Sequence, residues 1–148
     1  MPVVRSATDA DAERIHALLD HEGLPTSDLA AARPEFIVVV EATELVGAGA
    51  LQHLGESALI RSVAVSPKRR GTGLGRDIVL ELERRARSSG TVLLVLLTQT
   101  AAPFFEHLGY RVIERASAPA AVQSTEEFRS LCPASAVCMS KKLTEQGT

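Results

Sequence analysis

The stretch Val63-Ala64-Val65-Ser66-Pro67-Lys68-Arg69-Arg70-Gly71-Thr72-Gly73-Leu74-Gly75-Arg76 runs from a β-favouring segment through glycines straight into a helical pattern. That order suits anion binding. The first amides of a helix lack intrahelical acceptors, the helix dipole is positive there, and glycines admit close backbone approach, so a pyrophosphate is the fitting ligand. Arg70 and Arg76 add charge-assisted donors. The plain alternative is a tight turn with solvated arginines. Spacing separates the phosphate-loop classes. No Gly-Lys followed by Ser or Thr occurs, which disfavours nucleoside-triphosphate hydrolysis. The glycines run GxGxG and the next strand ends in Thr98-Gln99, which lacks the acidic residue a dinucleotide fold places there.

A second charged residue stands out. In the strand Ala58–Val65, alternation places Leu59, Arg61, Val63 and Val65 on one face, so a guanidinium interrupts an otherwise apolar row. Guanidinium gives planar, bidentate recognition of a carboxylate or arsinate. The competing reading is an arginine paired with a neighbouring acid on an exposed strand face. Cys132 and Cys138 are separated by five residues, and no closely spaced Cys/His set accompanies them, so they read as buried hydrophobes with no metal. Tyr110, the sole phenol, reads as a packing residue.

The chain that carries these groups has 148 residues, 45% hydrophobic and 23% charged, as expected of one globular domain that needs neither metal nor disulfide. Net charge is −2, which excludes a general attraction for nucleic acid or anionic membrane. Charge is nevertheless uneven: Arg61–Gly90 holds eight Lys or Arg against three acids, enough to recruit a phosphate-sized partner. The longest apolar runs, Val92–Leu97 and Phe36–Val40, are far too short to span a bilayer, and no secretory signal opens the chain, so the expected location is the cytoplasm.

Punctuation by Gly, Pro, Ser and Thr predicts the elements. A strand at Pro2–Arg5 leads through capping residues into a helix bearing Ile15, Leu18 and Leu19, stopped by Gly23 and Pro25. Thr26–Ala32 allows a further turn or two before Pro34. Phe36–Glu41, Leu45–Leu54 and Ala58–Val65 read as consecutive strands, the first two an antiparallel hairpin. Ile78, Leu82 and Ala86 mark an amphipathic helix from Leu74 to the stop at Gly90. Thr91–Leu97 is a fully apolar central strand. Thr100 is positioned to cap a helix containing Pro103 and ending at Gly109, Tyr110–Arg115 is a strand, Ser124-x-x-Glu127 is a capping box for a short helix, and Ala136–Leu143 is a last strand. The expectation is one α/β domain over residues 1–143, with a mixed, mostly antiparallel sheet flanked by helices, and a polar tail at 144–148.

Arg70-Gly71-Thr72-Gly73-Leu74-Gly75 resembles the acetyl-CoA motif of the GCN5-related N-acetyltransferase (GNAT) superfamily, Arg/Gln-x-x-Gly-x-Gly/Ala after a strand. Ala102–Tyr110 is similar to that family's "A..FYEKLGF" segment, and Val4–Asp11 fits its first strand and helix. The resemblance implies a splayed sheet with acetyl-CoA wedged between the strands at 58–65 and 91–97. It further implies pantetheine pairing along Val63, Ala64 and Val65, pyrophosphate on the amides of Arg70, Gly71, Thr72, Gly73, Leu74, Gly75 and Arg76, contact with Phe104, and a thioester near Leu59–Val63. Leu59–Val65 and Leu97–Phe105 look like amino-acid N-acetyltransferases of the N-acetylglutamate synthase type. Ser130–Met139 is similar to small acetyltransferases encoded with arsenic-resistance genes, a family linked to acetylation of arsinothricin, an arsenic-containing glutamate analogue. On this reading Arg61 anchors the acid end of a glutamate-like amino acid, with Thr98 and Thr100 as further acceptor contacts. Glu41 and His53, on strands flanking the cleft, are the candidates to take the amine's proton, directly or through water, although for each alone a surface carboxylate or an ordinary strand histidine is the better explanation. The family's frequent Tyr acid is replaced by Phe105, which leaves a CoA-binding sensor as an alternative to an enzyme. A homodimer through the C-terminal strands is compatible with the resemblance.

Overall fold

The apolar runs at Glu35–Glu41 (β2), Glu44–Leu54 (β3) and Ser57–Val65 (β4) pair in order as antiparallel neighbours, as the short turns between them require. Val3–Ser6 (β1) adds outside β2. Leu93–Thr98 (β5) joins β4 in parallel, which needs a crossover, and the crossover is the long helix Leu74–Ser88 (α3 below). Arg111–Ile113 (β6) and Val137–Lys142 (β7) complete a seven-stranded sheet of order β1-β2-β3-β4-β5-β7-β6. The helices are Ala12–His21 (α1), Leu29–Ala32 (α2), Leu74–Ser88 (α3), Ala102–His107 (α4) and Ala120–Gln123 (α5), with a π-helical turn at Glu127–Leu131. This computed structural model describes residues 1–143, so the expected polar tail at 144–148 lies outside the described residues. The α/β architecture expected from the sequence is the one found. The predicted strand Tyr110–Arg115 is shorter, because Arg115–Ser117 turns into a single 3-10 turn.

Helices cover both faces. Ile37, Leu51, Ile60, Leu94, Leu96 and Met139 meet Ile78 and Leu82 of α3 on one face. On the other, Val38, Ala48 and Ala64 meet Ile15 and Leu19 of α1, while Leu59, Val95 and Cys138 meet Val122 and Phe128. The helix α3 lies close because Gly47 and Gly49 leave room for it: a methyl on Gly49 would stand 2.6 Å from Ile78 Cγ2 and 3.1 Å from Leu82 Cδ1. Both neighbours are fully buried branches with nowhere to move. Gly49→Ala is expected to lower stability by about 1–3 kcal/mol, the usual range for overpacking, as read from the denaturant midpoint.

One irregularity decides what the sheet presents. From Ala48 to Ala50 the pairing advances two residues on β3, while on β4 it advances three, from Ala64 to Arg61. The extra residue is a β-bulge at Ser62, whose φ is +59°. A bulge reverses the side-chain alternation beyond it. Leu59 and Arg61 therefore do not share a face with Val63 and Val65 as a regular strand would have it: Val63 and Val65 pack toward α3, and Arg61 points to the opposite face.

Candidate functional site

Parallel pairing of β4 with β5 runs from Ser57↔Leu93 to Ile60↔Leu96 and stops. Beyond it the two strands part, and the β4 edge from Arg61 to Val65 has no strand partner on that side. Unpaired backbone polar groups inside a sheet call for an external partner. The bulge sits at the parting point, and the Ser62 hydroxyl there is buried without a hydrogen bond. A non-glycine residue held at positive φ beside an unsatisfied hydroxyl marks a place where structure serves a ligand.

The glycine-rich turn stands at the open end of this fork. Following a 3-10 turn at Pro67–Arg69, Gly71 and Gly73 take φ of +80° and +87°, and Gly73 is the N-cap of α3. The first helical bond is Asp77 N–H to Gly73 O, and none of the amides of residues 71–76 donates to an acceptor among the described residues. They form a cradle of donors at the positive end of a fifteen-residue helix. Phe104 closes its side, lying 3.3 Å from where a Gly75 methyl would be. Arg70 pairs with Glu22, and Arg69 with Glu41. This cradle and the open β4 edge fit the diphosphate and the amide-bearing arm of CoA respectively.

Across the sheet, Arg61 is held in a buried ionic cluster. Its side chain has 0% exposure; its two terminal nitrogens donate to both Asp28 oxygens at 2.6 Å, and Nη1 also donates to Gln52 Oε1 at 3.1 Å. Asp28 ends the loop that follows the α1 stop at Gly23 and stands at the N-cap position of α2, where its carboxylate bonds Arg61 and not the helix amides. On the remaining edge, Nε lies 3.4 Å from Glu127 Oε1, close enough for an ion pair but not aligned for a hydrogen bond, and Nε–H is left without a partner. The guanidinium is not freely exposed, as the strand pattern would have left it: Asp28 fills one edge, and Glu127 pairs with the Nε edge without hydrogen-bonding it. The pairing is also not on an exposed face, since apolar strands and the α1–α2 loop cover it.

Glu127 was missed as a site residue. The capping-box reading of Ser124-x-x-Glu127 is not what forms: Thr125 Oγ1 accepts the Phe128 amide at 3.2 Å, and the Glu127 carboxylate turns to Arg61 instead. It is 4% exposed and accepts no hydrogen bond among the described residues. Burial, reinforced by Asp28 and opposed by Arg61, pushes its carboxyl up to about 7. The signal available in sequence was an arginine inside an apolar strand, which demands acidic partners, without any indication of which ones.

The other predicted residues fall elsewhere. Glu41 lies at the tip of the β2–β3 hairpin, opposite Glu44 and bound by Arg69. Five residues of β2 separate it from the level of Arg61, roughly 17 Å at the strand rise. His53 sits beside Ala58, where β4 and β5 are still paired, and bonds Glu35 Oε1 at 2.8 Å on the α3 face, where Arg85 also holds Glu35. Neither reaches the fork. Thr98 Oγ1 accepts the Ala101 amide at 3.0 Å, while Ala101 itself is the N-cap of α4 and no side chain caps it, so the exposed Thr100 does not cap that helix. Phe105 and Tyr110 are buried edge to face, and Tyr110 donates to buried Glu83 at 2.8 Å, which confirms its structural role. Burial raises both thiols, Cys132 to about 11, so they stay neutral.

A parallel pair that parts at a bulge, opposite a helix N-terminus with free amides, defines a class of protein that holds a long phosphorylated cofactor between two splayed strands. Residues 32–112 match the family described as "Acetyltransferase (GNAT) domain", and the chain belongs to that acetyltransferase family, whose enzymes use acetyl-CoA. Among solved structures it is similar to N-acetylglutamate synthase from Neisseria gonorrhoeae complexed with CoA and N-acetyl-glutamate (TM-score 0.84, 21% identity), covering 98% of this chain but 36% of that one. It is also similar to Rv2747 from Mycobacterium tuberculosis in complex with CoA (TM-score 0.82, 28% identity), covering 96% and 99%. A curated relative, glucosamine 6-phosphate N-acetyltransferase of Trypanosoma brucei brucei, is 39% identical over 57 residues, which span 38% of this chain and 39% of that protein.

Proposed function

We propose that this chain transfers the acetyl group of acetyl-CoA to the α-amino group of a small glutamate-like amino acid, with arsinothricin among the acceptors. The observation that carries the reading is the buried Arg61 at the parting of β4 and β5, whose Nε–H makes no hydrogen bond although Glu127 pairs with it at 3.4 Å. An acid group is the natural ligand of that edge, since Nε and the outer hydrogen of Nη2 present two parallel donors. The N-acetyl-glutamate bound by the Neisseria synthase of the same fold supports the choice of acceptor class. Acetyl-CoA, when bound, supplies the activated thioester. The amides of residues 71–76 hold its diphosphate, the open edge of Val63–Val65 takes its amide-bearing arm, and Phe104 covers it. Arg61 holds the acceptor by its acid end so that the amine points at the fork. With Phe105 in place of a phenol, the departing thiolate leaves unassisted or takes a proton from water, which its moderate basicity allows.

The test is CoA thiol release with acetyl-CoA and a panel of glutamate, arsinothricin, phosphinothricin and neutral amino acids. Turnover restricted to acidic acceptors is expected. Preference for the arsenical identifies a detoxifying enzyme, and preference for glutamate a biosynthetic one. Turnover of neutral amino acids at equal rates removes the anchoring role of Arg61. CoA binding with no turnover of any amine points to a sensor.

A further inference from the structure

We infer that Glu127 is the group that takes the proton from the acceptor's amine. The inference rests on the acceptor reading above and adds a residue that neither the glycine motif nor the strand pattern reveals. Three observations carry it. First, Glu127 pairs at 3.4 Å with the Nε edge of Arg61, one residue past the last β4–β5 pair, so an amino acid whose acid group takes that edge displaces Glu127 from it and places its amine beside the displaced carboxylate. Second, the cluster is one positive charge short: Arg61 is shared by two buried carboxylates, and Asp28 takes both of its terminal nitrogens. A buried carboxylate without a hydrogen bond awaits a cation or a proton, and an arriving ammonium brings both. Third, Glu127 opens a π-helical turn, a wide turn that recurs at functional positions and here directs its side chain inward where an ordinary cap would turn it back on its own helix.

The groups facing Glu127 are Asp28 from the loop before α2, Arg61 from β4 and Cys132 at the end of its own turn, with Arg115 beyond Cys132. Asp28 is committed to Arg61 and Cys132 stays a neutral thiol, which leaves Glu127 as the proton acceptor. The step balances as follows. The ammonium gives one proton to the Glu127 carboxylate, and the freed lone pair forms the N–C bond to the acetyl carbon. The C–S bond then breaks with its electrons passing to the CoA sulfur, and the nitrogen loses its second proton as the amide forms, with the thiolate or water taking it. Glu127 returns its proton to solvent before the next cycle.

Glu127→Gln keeps the size of the side chain and removes its basicity. The logarithm of wild-type kcat/KM for the acceptor is expected to rise with unit slope up to about pH 7 and then level, because only the ionised carboxylate accepts a proton. In Glu127→Gln the rate falls at least about 100-fold and the rising limb disappears, while Glu127→Asp restores part of both. Two measurements stand apart from turnover. Calorimetric CoA affinity of Glu127→Gln equals wild type, which shows that the variant is folded. The carboxyl carbon resonance of Glu127, assigned by its loss in Glu127→Gln, titrates near neutrality in the CoA complex and shifts when acceptor is added. A variant that keeps the rate and the limb, or a Glu127 resonance that titrates in the ordinary carboxylate range, overturns the inference while leaving the acceptor reading intact. Absence of turnover by the wild type with any amine overturns that reading and, with it, this one.

Discussion

Replacing Gly73 with Asp is expected to abolish CoA binding. Gly73 caps α3 at φ +87°, and its neighbours' amides are the unpaired donors of the cradle. A carboxylate there engages those donors itself and repels a diphosphate at close range. The strained φ adds a backbone penalty of roughly 1–2 kcal/mol for a residue with a Cβ. Gly73→Asn separates the two effects, because it shares the size and the strain but carries no charge. That strain is carried by the free and the bound protein alike, so it is read in the denaturant midpoint, while isothermal calorimetry should show Gly73→Asn near wild-type affinity and Gly73→Asp weakened by at least about 100-fold. Equal losses in the two variants would show that the charge is not what matters there, and unchanged affinity of Gly73→Asp would remove the diphosphate from this turn.

The second large effect concerns the buried cluster. Arg61→Met leaves Asp28 and Glu127 facing each other with no cation, and loss of one partner of a buried ion pair costs about 3–5 kcal/mol. The penalty depends on pH in a definite sense. With Arg61 gone, the Glu127 carboxyl, already raised by burial, loses the cation that opposes the rise, so the folded variant binds more protons than the unfolded one. Its stability is therefore greatest below the ordinary carboxylate range and falls as pH rises toward and past neutrality. Urea unfolding at pH 5 and pH 8 should show the deficit of Arg61→Met growing with pH. A small, pH-independent deficit would mean that the carboxylates do not depend on this guanidinium. Where the variant stays folded, the acceptor KM should rise far more than the acetyl-CoA KM, as expected of an acid-end anchor.

Local chemistry is what made much of this legible. The turn from Arg70 to Arg76 is a contiguous stretch, and the amides it leaves free are fixed by the helix that follows it. Strand alternation likewise located β2, β3 and β4 and the amphipathic face of α3. Alternation failed at Ser62, since a bulge depends on the pairing partner and leaves no trace in the strand's own residue types. Capping is hidden for a related reason: no side chain caps α4 although Thr98 and Thr100 both precede it, and Thr125 rather than Ser124 takes the Phe128 amide, because backbone direction at the end of the preceding element makes the choice.

From residue types and spacing alone came the α/β order of elements, the glycine-rich turn that opens α3 and the presence of an arginine in an apolar strand. These rest on periodicity and on contacts between near neighbours, which a linear chain expresses directly. The partners of Arg61, the displacement of Glu41 and His53 from the fork, and the inward turn of Glu127 arose only on folding. Asp28, Arg61 and Glu127 are tens of residues apart and meet because the α1–α2 loop and the π-helical turn close over the same face of β4. In that enclosure burial and mutual charge, not residue identity, set which carboxylate holds the guanidinium and which one is free to take a proton.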